Sequence, residues 1–121
     1  MIAHVVLFTP RTDLPPDAWR ELLDALARTA LTVPNVRRFR VGRRVTHGLP
    51  GYERAMRDDY QYAAIVEFDD LDALKSYLAH PSHADLGAHF TRSAARTLAY
   101  DYEVGDVAET VAKNSSIISR S

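Results

Sequence analysis

The sequence predicts a ferredoxin-like α+β domain, and three observations carry the prediction. Short β-branched runs and amphipathic helical runs follow one another in the order β-α-β-β-α-β, with the second helical region broken at His80-Pro81. Right-handed crossovers then put both helical layers on one face of a four-stranded antiparallel sheet. The first and third strands are apolar on both faces, which calls for a second covering layer that a chain of 121 residues does not supply. A homodimer burying sheet against sheet answers that demand.

Residues 2–8, "IAHVVLF", are apolar and rich in valine, and Thr9-Pro10 ends them as a strand. Ala3, Val5 and Leu7 fall on one side of it and Ile2, Val6 and Phe8 on the other. "LPPDAWRELLDALARTAL" opens on prolines and an early acid and spaces Trp19, Leu22, Leu23, Leu26 and Ala30 helically, up to Pro34. "NVRRFRVGRRV" alternates, with Phe39, Val41 and Val45 against Arg38, Arg40 and Arg44, as a half-exposed strand does. Residues 46–59 carry glycines, a proline and no period; Tyr52 and Met56 there are candidates for a lid or a dimer contact.

"YQYAAIVEF" reads as the third strand. Asp69-Asp70 caps a helix in which Leu71, Leu74, Tyr77 and Leu78 share a face. His80-Pro81 interrupts it, and a further helix runs from about Ser82 into the mid-nineties with Leu86, Phe90 and Ala94 inward. "LAYDYEV", Leu98 to Val104, is the last strand. The domain therefore spans residues 1–104, and residues 105–121, small and polar, are expected as a flexible tail or a short arm.

Composition narrows the function classes. The net charge of −1 gives no global field toward nucleic acid or an acidic membrane. The absence of cysteine removes disulfides and thiolate chemistry and fits a reducing, cytoplasmic setting. "MIAHVVLFTP" is too short an apolar run for a membrane span and suits a strand better than a leader. The strand order also occurs in RNA-recognition domains, but Ala63 and Ile65 stand where stacking aromatics are needed, so no nucleic acid is expected despite the arginines at 37, 38, 40, 43 and 44. His80, His83 and His89 have unsuitable phase for a metal site, because Pro81 breaks the helix among them.

The stretch "YLAHPSHADLG" concentrates the chemistry. A neutral imidazole takes a proton from carbon beside a carbonyl, and a phenol holds the developing oxyanion. The proline bend turns Tyr77 and His83 toward one cavity, or it simply ends a helix and leaves both histidines as polar groups near helix termini. Phe8, Trp19, Tyr62, Phe68 and Phe90 either line an apolar pocket for a small aromatic molecule or form core.

The opening "IAHVVLF", the strand "YAAIVEFDD", the run "LKSYLAHPSHADLG" and the closing "LAYDYEV" resemble the stress-responsive dimeric A/B barrel family from Met1 to about Val104. The resemblance implies two protomers pairing their sheets into an α+β barrel. A reaction found in the family, aldol closure of a linear polyketide with no metal or organic cofactor, uses a histidine and a tyrosine. By motif these correspond to His83 and Tyr77 as catalytic residues, with His4 shaping the site and Tyr62 standing where a further histidine occurs. Phe8 and Phe90 join His4 and Tyr62 as expected substrate-binding residues. Related barrels also hold haem, for which His83 is the axial candidate. The expectation is a cofactor-independent cyclase, isomerase or lyase acting on a polyketide-like or aromatic carbonyl substrate; the alternative is a non-enzymatic stress-responsive or ligand-binding protein.

Overall fold

A computed structural model describes the backbone of residues 1–120, and the side chains through Asn114. The chain runs β1 (Ile2–Pro10), α1 (Pro16–Thr32), β2 (Arg38–Arg43), β3 (Tyr62–Phe68), α2 (Leu71–Ala79), α3 (Pro81–Ser93), β4 (Ala94–Glu103) and α4 (Val107–Arg120). The strands form one antiparallel sheet ordered β2-β3-β1-β4, the ferredoxin-like arrangement.

Register decides which side chains meet the helices. His4, Val6 and Phe8 of β1 pair with Val66, Ala64 and Tyr62 of β3 and with Asp101, Ala99 and Thr97 of β4, so these residues share the inner face. Leu22, Ala25 and Leu26 of α1 and Leu86 of α3 pack on Val6, Phe8 and Ala64. Leu74 and Tyr77 of α2 pack on Val66 and Phe68. Phe8, Leu22 and Phe68 are fully buried, and each such side chain contributes about 1.5–3 kcal/mol by leaving water.

The outer face carries Val5, Leu7, Ala63, Ile65 and Leu98, all half-buried, flanked by the exposed Tyr100 and Tyr102. Three of the five arginines in the basic cluster have acidic partners: Arg37 pairs with Asp69, Arg40 with Glu67 and Arg44 with Asp59. Among the described residues no helix is long and apolar enough to cross a membrane.

Several boundaries differ from expectation. β2 stops at Arg43, which leaves Val45 outside the strand and 80% exposed. β4 begins at Ala94 rather than Leu98, because pairing with Pro10, Thr9 and Phe8 holds residues of little strand propensity in the sheet. The inner face of α2 is Ala73, Leu74 and Tyr77, whereas Leu71 and Leu78 are exposed. Of residues 105–121, expected as a flexible tail or short arm, Val107–Arg120 form α4, with Asp106 Oδ1 accepting from Glu109 N at 2.9 Å; Ser121 lies outside the described residues. The 46–59 segment is ordered by Glu53, whose carboxylate accepts from the backbone of His47 and Gly48, and these bonds hold its pKa below the ordinary value. Gly48 and Gly51 there adopt φ of 73° and 84°, which a side chain would resist.

Asp70 caps α2 by accepting from Ala73 N at 2.8 Å. Asp70→Ala should therefore destabilise the domain by about 1 kcal/mol, read as a lower midpoint in urea unfolding with an unchanged slope.

Candidate functional site

The site begins at the junction of α2 and α3. Pro81 cannot donate a backbone hydrogen bond and restricts the residue before it, so His80 takes an extended conformation (φ −73°, ψ 141°) between two helices. His80 ends the first helix and starts the second. Its N–H donates to Tyr77 O at 3.1 Å, its carbonyl accepts from His83 N and Ala84 N at 3.0 and 3.3 Å, and its ring Nδ1 accepts from Ser82 N at 3.0 Å. The residue thus caps both helices, a role that the sequence indicated only in part.

The bend brings Tyr77 and His83 together with ring centroids 4.9 Å apart, and His4 reaches the same group from β1, 5.8 Å from Tyr77 and 6.3 Å from His83. His4 is buried, and its Nδ1 donates to Asp101 Oδ1 at 2.5 Å. A carboxylate only accepts, so this bond fixes the proton of a neutral His4 on Nδ1 and leaves Nε2 as an acceptor. Asp101 was not singled out in the sequence. Its signal is the alternation of "LAYDYEV", which puts Asp101, with Glu103, on the face opposite Tyr100 and Tyr102.

Electrostatics separate the two central groups. Burial pushes the Tyr77 phenol up to about 12. Burial, then repulsion from His4 whenever that ring is protonated, holds His83 below its ordinary 6.5, opposed by a hydrogen bond with the Leu78 backbone. At neutral pH the pair is a protonated phenol beside a neutral imidazole.

Tyr77 and His83 stand at one end of a cleft of about 410 Å³ between the inner sheet face and α3, floored by Val6, Ala64, Val66 and Ala99. Tyr77 is 1% exposed and its hydroxyl has no hydrogen bond to protein among the described residues. No fully enclosed side-chain polar atom lacks a partner among those residues, so that hydroxyl reaches the cleft. The cleft opens along β4, where Ala95, Thr97 and Ala99 are exposed.

The other expected residues divide. Phe90 lines the cleft. Phe8 and Tyr62 do not: Phe8 is fully buried, stacked on Tyr62 at 5.6 Å and edge-on to Phe90 at 4.9 Å, and Tyr62 leans on Trp19 at 5.0 Å. Both belong to the packed aromatic core behind the cleft, because Trp19 of α1 fills the space beside them. His4 touches Tyr77 and His83 rather than the cleft wall. His89 lies apart, near Arg92 and Asp85, and among the described residues no set of three histidines or acids gathers as a metal site requires.

The fold has known structural counterparts. A dimeric ferredoxin-like protein of unknown function from Jannaschia sp. CCS1 is 26% identical over 85% of this chain and 98% of its own, with a TM-score of 0.67. An Arabidopsis thaliana protein is 22% identical over 88% of this chain and 98% of its own, at 0.71. A hydroxynitrile lyase from Passiflora edulis shares the fold at 12% identity over 88% of this chain and 94% of its own, at 0.72. No curated protein matches the chain in sequence. The stress responsive A/B barrel domain model matches residues 2–104, the whole of the sheet and the three helices packed on it, and the chain belongs to that family.

Proposed function

We propose that the protein is a homodimeric, cytoplasmic A/B barrel protein that binds a small aromatic or polyketide-like carbonyl compound and moves a proton beside its carbonyl group. His83 is the base and Tyr77 the hydrogen-bond donor to the carbonyl oxygen. The observation that carries this reading is the neutral pair, 4.9 Å between ring centroids, at the inner end of an apolar cleft. The imidazole removes the α-proton and becomes imidazolium; the electron pair moves to oxygen as an enolate, which the phenol stabilises. Return of the proton elsewhere is isomerisation, attack of the enolate carbon on a second carbonyl is cyclisation, and the reverse is a lyase reaction. None of these routes calls for a cofactor.

His4 and Asp101 support the assignment. With its Nδ1–H held by Asp101, His4 stays in one orientation against both rings. The apolar lining by Val6, Leu26, Phe39 and Leu86 equally suits a protein that binds without turnover, and proton exchange separates the two readings.

For the dimer, the outer face offers Val5, Leu7, Ile65 and Leu98 as a continuous apolar surface. The Jannaschia protein is described as dimeric, which supports a homodimer here, and sheet-to-sheet pairing would cover this face.

A simple aryl ketone tests the chemistry: 6-propionyl-2-dimethylaminonaphthalene in D2O should lose its α-hydrogens faster with protein present, followed by proton NMR. His83→Ala should lower that protein-dependent rate by roughly 10²-fold or more while the melting temperature stays close to wild type. Exchange unaffected by the substitution removes His83 as base, and binding without any exchange selects the non-enzymatic reading.

The lowered pKa of His83 gives a second expectation. On acidification the unfolded chain binds this proton first, so stability is full above 6.5 and falls as pH drops from there toward the folded value. His83→Gln should flatten that part of a stability profile measured by urea unfolding. The exchange rate should rise with pH through the folded His83 value and level off above 6.5.

Leu7→Asp, on the outer face, should halve the mass seen by light scattering at micromolar concentration. A wild-type monomer under the same conditions rules out the shared-sheet assembly.

A further inference from the structure

One wall of the cleft is missing a side chain at its middle. His83, Gly87, Phe90 and Thr91 all line it, positions 0, 4, 7 and 8 of one helical face of α3. Gly87 sits in the middle of that face and inside the helix, where glycine is a poor choice relative to alanine. Nothing in the fold calls for it. Its φ is not positive, and a Cβ at this position would meet no atom of the described residues within 4 Å. Across the cleft, the sheet presents Ala64, Ala95 and Ala99. The gap is therefore flanked by helix backbone on one side and by methyl groups on the other. Tyr77 supplies the polar mark of a ligand site at its inner end, being nine-tenths buried and more, with a hydroxyl that has no partner among the described residues and is open to the cleft. The face from His83 to Thr91 spans eight residues of rise, about 12 Å.

We propose that Gly87 is the specificity-determining residue of this cleft, and that the space it leaves receives a flat, fused-ring aryl ketone lying between α3 and β4 with its carbonyl at Tyr77. The inference rests on the proposed proton-transfer reading for the carbonyl's place, and adds what selects the rest of the molecule. A planar ring system fits a slot bounded by backbone and alanine methyls, and Phe90 contributes an aromatic edge or face at its side. Thr91, whose Oγ1 already donates to Gly87 O at 3.0 Å, has lone pairs left to accept from a ring hydroxyl toward the open end. A branched or bulky aliphatic ketone gains nothing from the flat slot.

The same naphthyl ketone reads both events, binding by the change in its fluorescence and base chemistry by deuterium incorporation. Gly87→Leu should weaken its binding at least about tenfold, the lower end of what one misfitted group does in an apolar pocket. Gly87→Ala should raise the melting temperature, through helix propensity, and still weaken binding, a combination that a purely structural glycine does not produce. It also keeps the test intact if the leucine variant folds poorly by circular dichroism. Ala88→Leu, exposed on the same helix, should bind as wild type does. Wild-type binding equal to that of Gly87→Leu, or no binding of the ketone by wild type at all, overturns the slot. Loss of exchange with binding retained overturns instead the role of His83, so the two failures are distinct.

Discussion

The site depends on the double cap made by His80. A helix that continued through this position would rotate about 100° per residue and carry His83, six residues beyond Tyr77, well round the cylinder from it. The break at Pro81 resets the helical phase. His80 then makes the break inexpensive, since its backbone N–H and carbonyl and its ring nitrogen together serve groups that two adjoining helix ends leave unsatisfied. The proline supplies the direction change and the histidine supplies the hydrogen bonds. The 4.9 Å meeting of the Tyr77 and His83 rings follows from both.

From that junction the inner face of β1 runs from polar to apolar: His4, then Val6, then Phe8. A buried imidazole without a partner would be costly, and Asp101 removes that cost from the neighbouring strand. Phe8 at the other end is locked among Tyr62, Phe90 and Trp19 and closes the core. The cleft lies between these two conditions, against Val6 and Ala64, where small side chains leave space that neither the aromatic cluster nor the histidine group fills. Packing and cavity are thus arranged along one strand.

Much of this was legible in the sequence, and the limits have physical causes. Strand order and the helix break follow from local patterns: apolar alternation, capping acids, and a proline that no helix interior accommodates. Tyr77 and His83 were legible because both lie within seven residues of one break. The pairing of His4 with Asp101 was not, because it joins residues 97 apart and depends on the register of two strands. Phe8 and Tyr62 illustrate the converse difficulty: an inward aromatic residue looks the same in sequence whether a neighbour covers it or leaves a cavity. Only the position of Trp19 decides between them. The early start of β4 was hidden for a similar reason, since Ala94 and Ala95 carry no strand signal and are held by their partners on β1.

β4 joins the chemical and the assembling faces of the molecule. Asp101 points inward to His4, while Tyr100 and Tyr102 on either side belong to the outer face. A slip of one residue in the β1–β4 register would exchange them, sending an acid into the apolar outer surface and leaving His4 without its carboxylate. The irregularity between Thr9 and Pro10 lies at the far end of the pairing, where it absorbs the mismatch of a strand that follows directly on α3. Beyond it the register runs unbroken from Thr9 to Ile2. An apolar outer face and the pairing of buried His4 with Asp101 therefore select the same alignment, so the feature that favours a second copy on one side also sets the geometry of the proposed site on the other.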